Sequence, residues 1–144
     1  MNELYAEFLL SVYGFRSKEQ YEALLHECFL NKPDSDILLE LEECSWSQLN
    51  TNGRFMRYWT YEGGDLNPEV FGRKLVAGVK EVYDSNVLPI EEFAHRTYQL
   101  WTLLPEPLAY EQPFWTLNYA GDYLSWGDGE QTRKAYEETF GFYG

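Results

Sequence analysis

Apolar residues recur at helical spacing along most of this chain, and the punctuation between the runs is that of helix ends. Tyr5, Phe8, Leu9 and Val12 share one face of a helix predicted over 3–13, and Gly14 follows as its left-handed stop. Ser17 with Gln20 three residues later forms a capping box. The helix it opens carries Tyr21, Leu24, Leu25 and Cys28 on one stripe and ends at Asn31-Lys32-Pro33. Asp34 or Ser35 caps a third helix, with Ile37, Leu38, Leu41 and Cys44 inward and Asp36, Glu40 and Glu43 outward.

Residues 45–66 carry the weakest pattern. Asn50-Thr51-Asn52-Gly53 has the composition of a turn. Phe55, Tyr58, Trp59 and Glu62 fit helical spacing, although a small hairpin near 54–61 is also compatible with so aromatic a run. Asn67-Pro68 is a strong start signal, a good cap followed by proline in the first helical position. Phe71, Leu75, Val79 and Val82 form the stripe that follows. Gly72 and Gly78 each weaken that helix by about 1 kcal/mol against alanine and permit close packing.

Pro89 opens the next helix, whose buried stripe is Ile90, Phe93, Thr97, Trp101 and Leu104. Pro105, Pro107 and Pro113 impose an irregular stretch, with a short helical turn between Phe114 and Ala120. Asp128 with Gln131 caps the last helix, which presents Ala135, Tyr136 and Phe140. The pattern predicts an all-α chain, one domain over residues 1–144, of about six to seven mostly antiparallel helices with one irregular or hairpin segment.

Charge changes the picture more than composition does. The chain carries 24 acidic against 11 basic residues, a net charge of −13. Residues 1–50 contribute −7 and residues 101–144 contribute −5, so the middle is nearly neutral. Such a field repels nucleic-acid phosphates and anionic lipid and draws in basic partners. Solubility alone is the plainer use of the same charge. Two cysteines make no framework and the first residues lack a signal-peptide pattern. No apolar run reaches membrane-spanning length. These features lead to the expectation of a reducing, cytoplasmic setting without direct nucleic-acid or membrane binding.

Motifs for chemistry are sparse. No phosphate-binding glycine loop occurs, and Gly127-Asp128-Gly129 reads as a capped turn. His26, Cys28, Cys44 and His95 are the only soft ligands; their spacing matches no zinc site, and no calcium loop occurs among the acids of 122–130. His95 lies beside Glu91 and Glu92 and His26 follows Glu22, which are helix-surface pairings. No cofactor, metal or catalytic residue is expected, although carboxylates from distant segments could still converge in a hydrolase pocket.

Two segments mix acids with aromatics. One is the third helix and its exit, with Asp34, Asp36, Glu40, Glu43 and Trp46; the other runs from Tyr119 to Asp128, with Asp122, Tyr123 and Trp126. Aromatic anchors with acids around them suit the recognition of a basic protein, while for the second segment the default reading of its aromatics is core, with Trp126 and Phe114 anchoring a loop over the helices. The segments Asp36-Ile37-Leu38-Leu39-Glu40-Leu41-Glu42, Phe71-Gly72-Arg73-Lys74-Leu75 and Pro113-Phe114-Trp115-Thr116-Leu117, with Leu124-Ser125-Trp126-Gly127-Asp128, resemble those of small acidic bacterial proteins. That group is similar in size and charge to immunity proteins of bacterial toxin systems. The resemblance implies a protein-binding module that neutralises a basic, nuclease-type toxin by occlusion, and carries no catalytic site with it. An enzyme with a carboxylate pocket and an acidic nucleic-acid mimic are the alternatives.

Overall fold

Seven consecutive residues of the first helix, Leu4 to Leu10, are buried, and the rest of the chain is arranged around them. This helix, α1 (Asn2–Val12), ends where Gly14 takes a positive φ of 81°. The computed structural model describes all residues 1–144. After α1 come α2 (Lys18–Asn31), α3 (Asp36–Glu43), α4 (Gln48–Tyr61), α5 (Pro68–Ser85), α6 (Ile90–Thr102), α7 (Phe114–Tyr119) and α8 (Gly129–Phe140), with 3₁₀ segments at Leu108–Tyr110 and Ala120–Trp126. The fold is all-α, with eight helices where the periodicity predicts six to seven.

The predicted caps form as read. Ser17 and Gln20 make the reciprocal capping box, Ser35 caps α3, Asn67 accepts from two amides of α5, and Asp128 accepts from the Gln131 amide. In the segment 45–66 the helical spacing of Phe55, Tyr58 and Trp59 holds, and the departure is at 50–53. Neither a turn there nor a hairpin at 54–61 forms; α4 runs through both. Ser47 caps it, and Thr51, Arg54 and Phe55 on its inner face are buried. Burial of that face outweighs the turn preference of Asn50-Thr51-Asn52-Gly53.

Packing divides around α1 and α5, the principal helix pair. On one side α1 meets α2, α2 meets α3, and α3 meets α4. On the other, α6, α7, α8 and the 120–126 segment pack on one another, and α8 returns to α5. Gly78 lets α5 approach α1: a Cβ there would collide with the fully buried Leu10 side chain. Tyr5, Phe8, Tyr21, Phe55, Phe71 and Phe114 form a connected aromatic centre. Glu7 is buried on α1 between Arg16 and Lys74, each 3.6 Å away, so its charge is compensated from two directions. No helix is long and apolar enough to cross a membrane.

Candidate functional site

The C-terminal half carries a continuous strip of seven rings. Tyr98 stacks on Trp101 at 6.0 Å, and Trp101 meets both Tyr110 at 5.9 Å and Trp115 at 5.7 Å. Tyr110 also meets Trp115. The chain of contacts continues from Trp115 to Tyr119, Tyr123 and Trp126 in steps of 6.3, 6.5 and 5.8 Å. None of the seven is fully buried: Trp126 is 74% exposed, Tyr110 57% and Tyr98 46%, and the rest are half-buried. The indole N–H of Trp101 donates to the Ala109 carbonyl at 2.8 Å and pins the 108–110 turn to α6. Thr132 Oγ1, fully buried, donates to the Ala120 carbonyl at 2.7 Å and pins the other end to α8.

The electrostatics of this strip follow from what the chain omits. Between Arg96 and Arg133 there is no lysine or arginine, while Glu106, Glu111, Asp122, Asp128 and Glu130 are all there. All seven rings fall in this stretch. None of these five acids is ion-paired; the pairs along the chain instead engage Arg16, Lys18, Arg54, Arg57, Arg73, Lys74, Lys80 and Arg96 elsewhere. The stretch that carries the rings therefore holds five unpaired carboxylates and no base, with the exposed Arg133 and Lys134 at its C-terminal edge on α8.

Of the residues predicted around it, Asp122 and Trp126 are exposed and Tyr123 is half-buried. Phe114 and Trp126, which could both have been loop anchors, part company: Phe114 is buried in the aromatic centre and Trp126 lies outside. Sequence reasoning missed Tyr98, Trp101, Tyr110 and Trp115 as members of this surface. Trp101 was assigned to a buried stripe, and the others come from three separate elements that no single window joins. The signal that could have found them is the absence of basic residues from 97 to 132 in so aromatic a stretch.

The predicted site on α3 lies on the other side of the fold, against α2 and α4. Asp34, Asp36 and Glu43 are exposed, and Trp46 is 75% exposed. Glu40 does not stand free as an outer acid. It bonds Arg54 Nε and lies 3.2 Å from Arg57 Nη2, because α4 is helical and brings both arginines to α3. The same arginines hold Glu62, Arg54 through both terminal nitrogens at 3.0 and 2.9 Å. Burial opposes the charge of Arg54, but the hydrogen bonds to Glu62 and Glu40 outweigh it and raise its pKa. The Arg54 hydrogen bond, with lesser help from Arg57, holds the Glu62 carboxyl below its ordinary range. This four-charge network ties α3 to α4, and Glu40 takes part in it with its side chain 44% exposed.

Two concavities are lined in part by the 97–132 stretch, and the second includes Tyr98 of the strip. One, of about 400 Å³, lies between α4 and the proline-rich turn and is lined by Trp59, Leu66, Pro105, Pro107, Glu106 and Glu111 among others. The second, about 380 Å³, lies between α6 and the 118–125 stretch. His26 sits 3.5 Å from Glu42, and the Cys44 thiol donates to the Leu41 carbonyl. The soft ligands do not assemble, and no group of three or more His, Cys, Asp or Glu side chains is placed to hold a metal. Comparison with protein-family models, with curated proteins and with solved structures finds no match.

Proposed function

We propose that this chain is a protein-binding module for a basic partner and, most concretely, an immunity-like inhibitor that neutralises a nuclease-type toxin by covering its basic surface. The observation that supports the reading is the seven-ring strip in a stretch devoid of lysine and arginine. Half-exposed Trp and Tyr give large contact area at low cost in side-chain entropy. Acids around them raise the encounter rate with a positive surface. Once docked, lysines and arginines of the partner can lie over ring faces as well as beside carboxylates, a pairing that a neutral apolar patch cannot offer.

An enzyme with a carboxylate pocket would reside in one of the two clefts, where Glu106 and Glu111 line one and Glu91 and Asp122 line the other with His95. All five side chains are exposed to water. Carboxylates that act as general acids are tuned by desolvation, so binding is the better reading.

The test is capture from the native host with wild-type chain and with a Tyr110→Ala, Trp126→Ala double variant. Both residues are exposed, so the variant keeps the fold. One basic protein should be retained at low salt, be released at high salt, and be lost to the variant by about 2 kcal/mol or more of binding. Adding the wild-type chain should suppress that protein's activity. Equal capture by the variant would remove the strip as the interface, and capture without suppression would remove the inhibitor role.

A further inference from the structure

The second cleft gives the strip a side wall. Glu91, Ala94, His95 and Tyr98 occupy positions i, i+3, i+4 and i+7 of α6 and so share one face. Asn118 of α7 and Asp122 and Ser125 of the 120–126 segment line the cleft from the opposite side. The floor is set by Gly121. A Cβ on it would lie 2.8 Å from the Ala94 Cβ, so α6 and the 120–126 segment approach this closely only because residue 121 has no side chain.

The lining contains two carboxylates and no lysine or arginine, and neither Glu91 nor Asp122 is ion-paired. Arg96, the nearest arginine on α6, is held by Glu92 at 3.0 Å and reaches the Tyr13 carbonyl instead. Tyr98 belongs to both features: it walls the cleft and its ring stacks on Trp101 as the first ring of the strip.

We infer that this cleft receives an arginine side chain of the basic partner, an inference that rests on the strip being the docking surface. A guanidinium is planar, so it can lie on the Tyr98 ring while its edge bonds a carboxylate through two parallel N–H groups. Lysine offers a compact, strongly hydrated charge that gains the attraction without the stacking or the fork. The volume, about 380 Å³, falls at the small end of pockets that hold organic groups. The acids draw in any cation; the ring beside them selects the flat one.

The test titrates nona-arginine and nona-lysine peptides into isotope-labelled protein at low salt, following backbone and side-chain resonances. Nona-arginine should bind about tenfold more tightly, and Asn118, Gly121 and Ser125 should shift more with it than with nona-lysine, which gains only the charge attraction in the cleft. Glu91→Gln with Asp122→Asn should erase the preference. Glu106→Gln with Glu111→Gln, which removes the same charge outside the cleft, should weaken both peptides alike and keep it. Tyr98→Leu should lower the arginine affinity towards that of lysine. Equal affinity for both peptides, with ring resonances shifting and cleft resonances still, would overturn the arginine cleft and leave the docking surface standing. Absence of any shift in the strip with either peptide would overturn both.

Discussion

Two residues show how charge is managed inside so acidic a molecule. Glu62 is exposed, yet its carboxyl is held below its ordinary value by the hydrogen bond from the buried Arg54. A lowered folded-state pKa contributes stability above the unfolded value, and that contribution is lost as pH falls through the folded value. The melting temperature of Glu62→Gln should therefore lie below wild type at neutral pH and converge on it as pH drops below about 4. A gap that stays constant across that range would show that Glu62 acts by packing. Tyr136 works at the other end of the scale. Burial pushes its phenol up to about 12, partly offset by the hydrogen bond it shares with Thr97 at 2.9 Å. A raised pKa favours the folded state below the ordinary value of 10 and loses that effect as pH climbs through the raised one. Thermal stability should fall between pH 10 and 12, with Tyr5 and Tyr21, also raised by burial, adding to the fall, and Tyr136→Phe should make it shallower while costing about 1 kcal/mol at neutral pH. Melting curves at stepped pH read both effects.

Glycines within helices separate propensity from packing. Gly53 lies inside α4 with open space where a Cβ would go, whereas a Cβ on Gly78 would strike the buried Leu10. Gly53→Ala should stabilise by about 0.5–1 kcal/mol and Gly78→Ala should destabilise by about 1–3 kcal/mol, measured by denaturant unfolding. Gly72→Ala should also destabilise, because its Cβ would strike the Tyr143 hydroxyl and lie 2.9 Å from the ring of the fully buried Phe114. The legible parts of the fold were those with local signatures: Ser17 with Gln20, Asn67 with Pro68, Gly14 after α1. The start of α4 was not legible, because its signal, the Ser47 cap, is followed by residues that prefer turns and are overruled by burial of Thr51 and Phe55. The interaction surface was legible only in its 119–128 portion. Its remaining rings belong to α6, the 108–110 turn and α7, and only tertiary packing sets them side by side.

For the molecule as a whole, acidity is uneven in availability as well as in sequence. Eight of the eleven lysines and arginines lie within ion-pair reach of an acid, so the basic charge is largely used within the chain. Of the three bases outside such pairs, Arg133 and Lys134 are exposed on α8 at the C-terminal edge of the strip, and five unpaired carboxylates lie within the stretch that carries it. Asp122→Lys with Glu111→Lys should slow association with a basic partner more than Asp36→Lys with Glu43→Lys, although each pair changes the net charge equally. The difference should shrink between about 50 and 500 mM salt, as screening shortens the reach of both sets. Stopped-flow association rates make the comparison, and equal slowing by the two pairs would place the steering in the net charge alone.

The basic residues missing from the strip also decide which reagents can see it. Trypsin has no site between Arg96 and Arg133, so all seven rings leave a digest together in the fragment 97–133. Amine-directed labels and cross-linkers have no lysine there to modify, and they would report an occupied strip and an empty one alike. Footprinting of this surface belongs to chemistry that attacks carboxylates or oxidises indole.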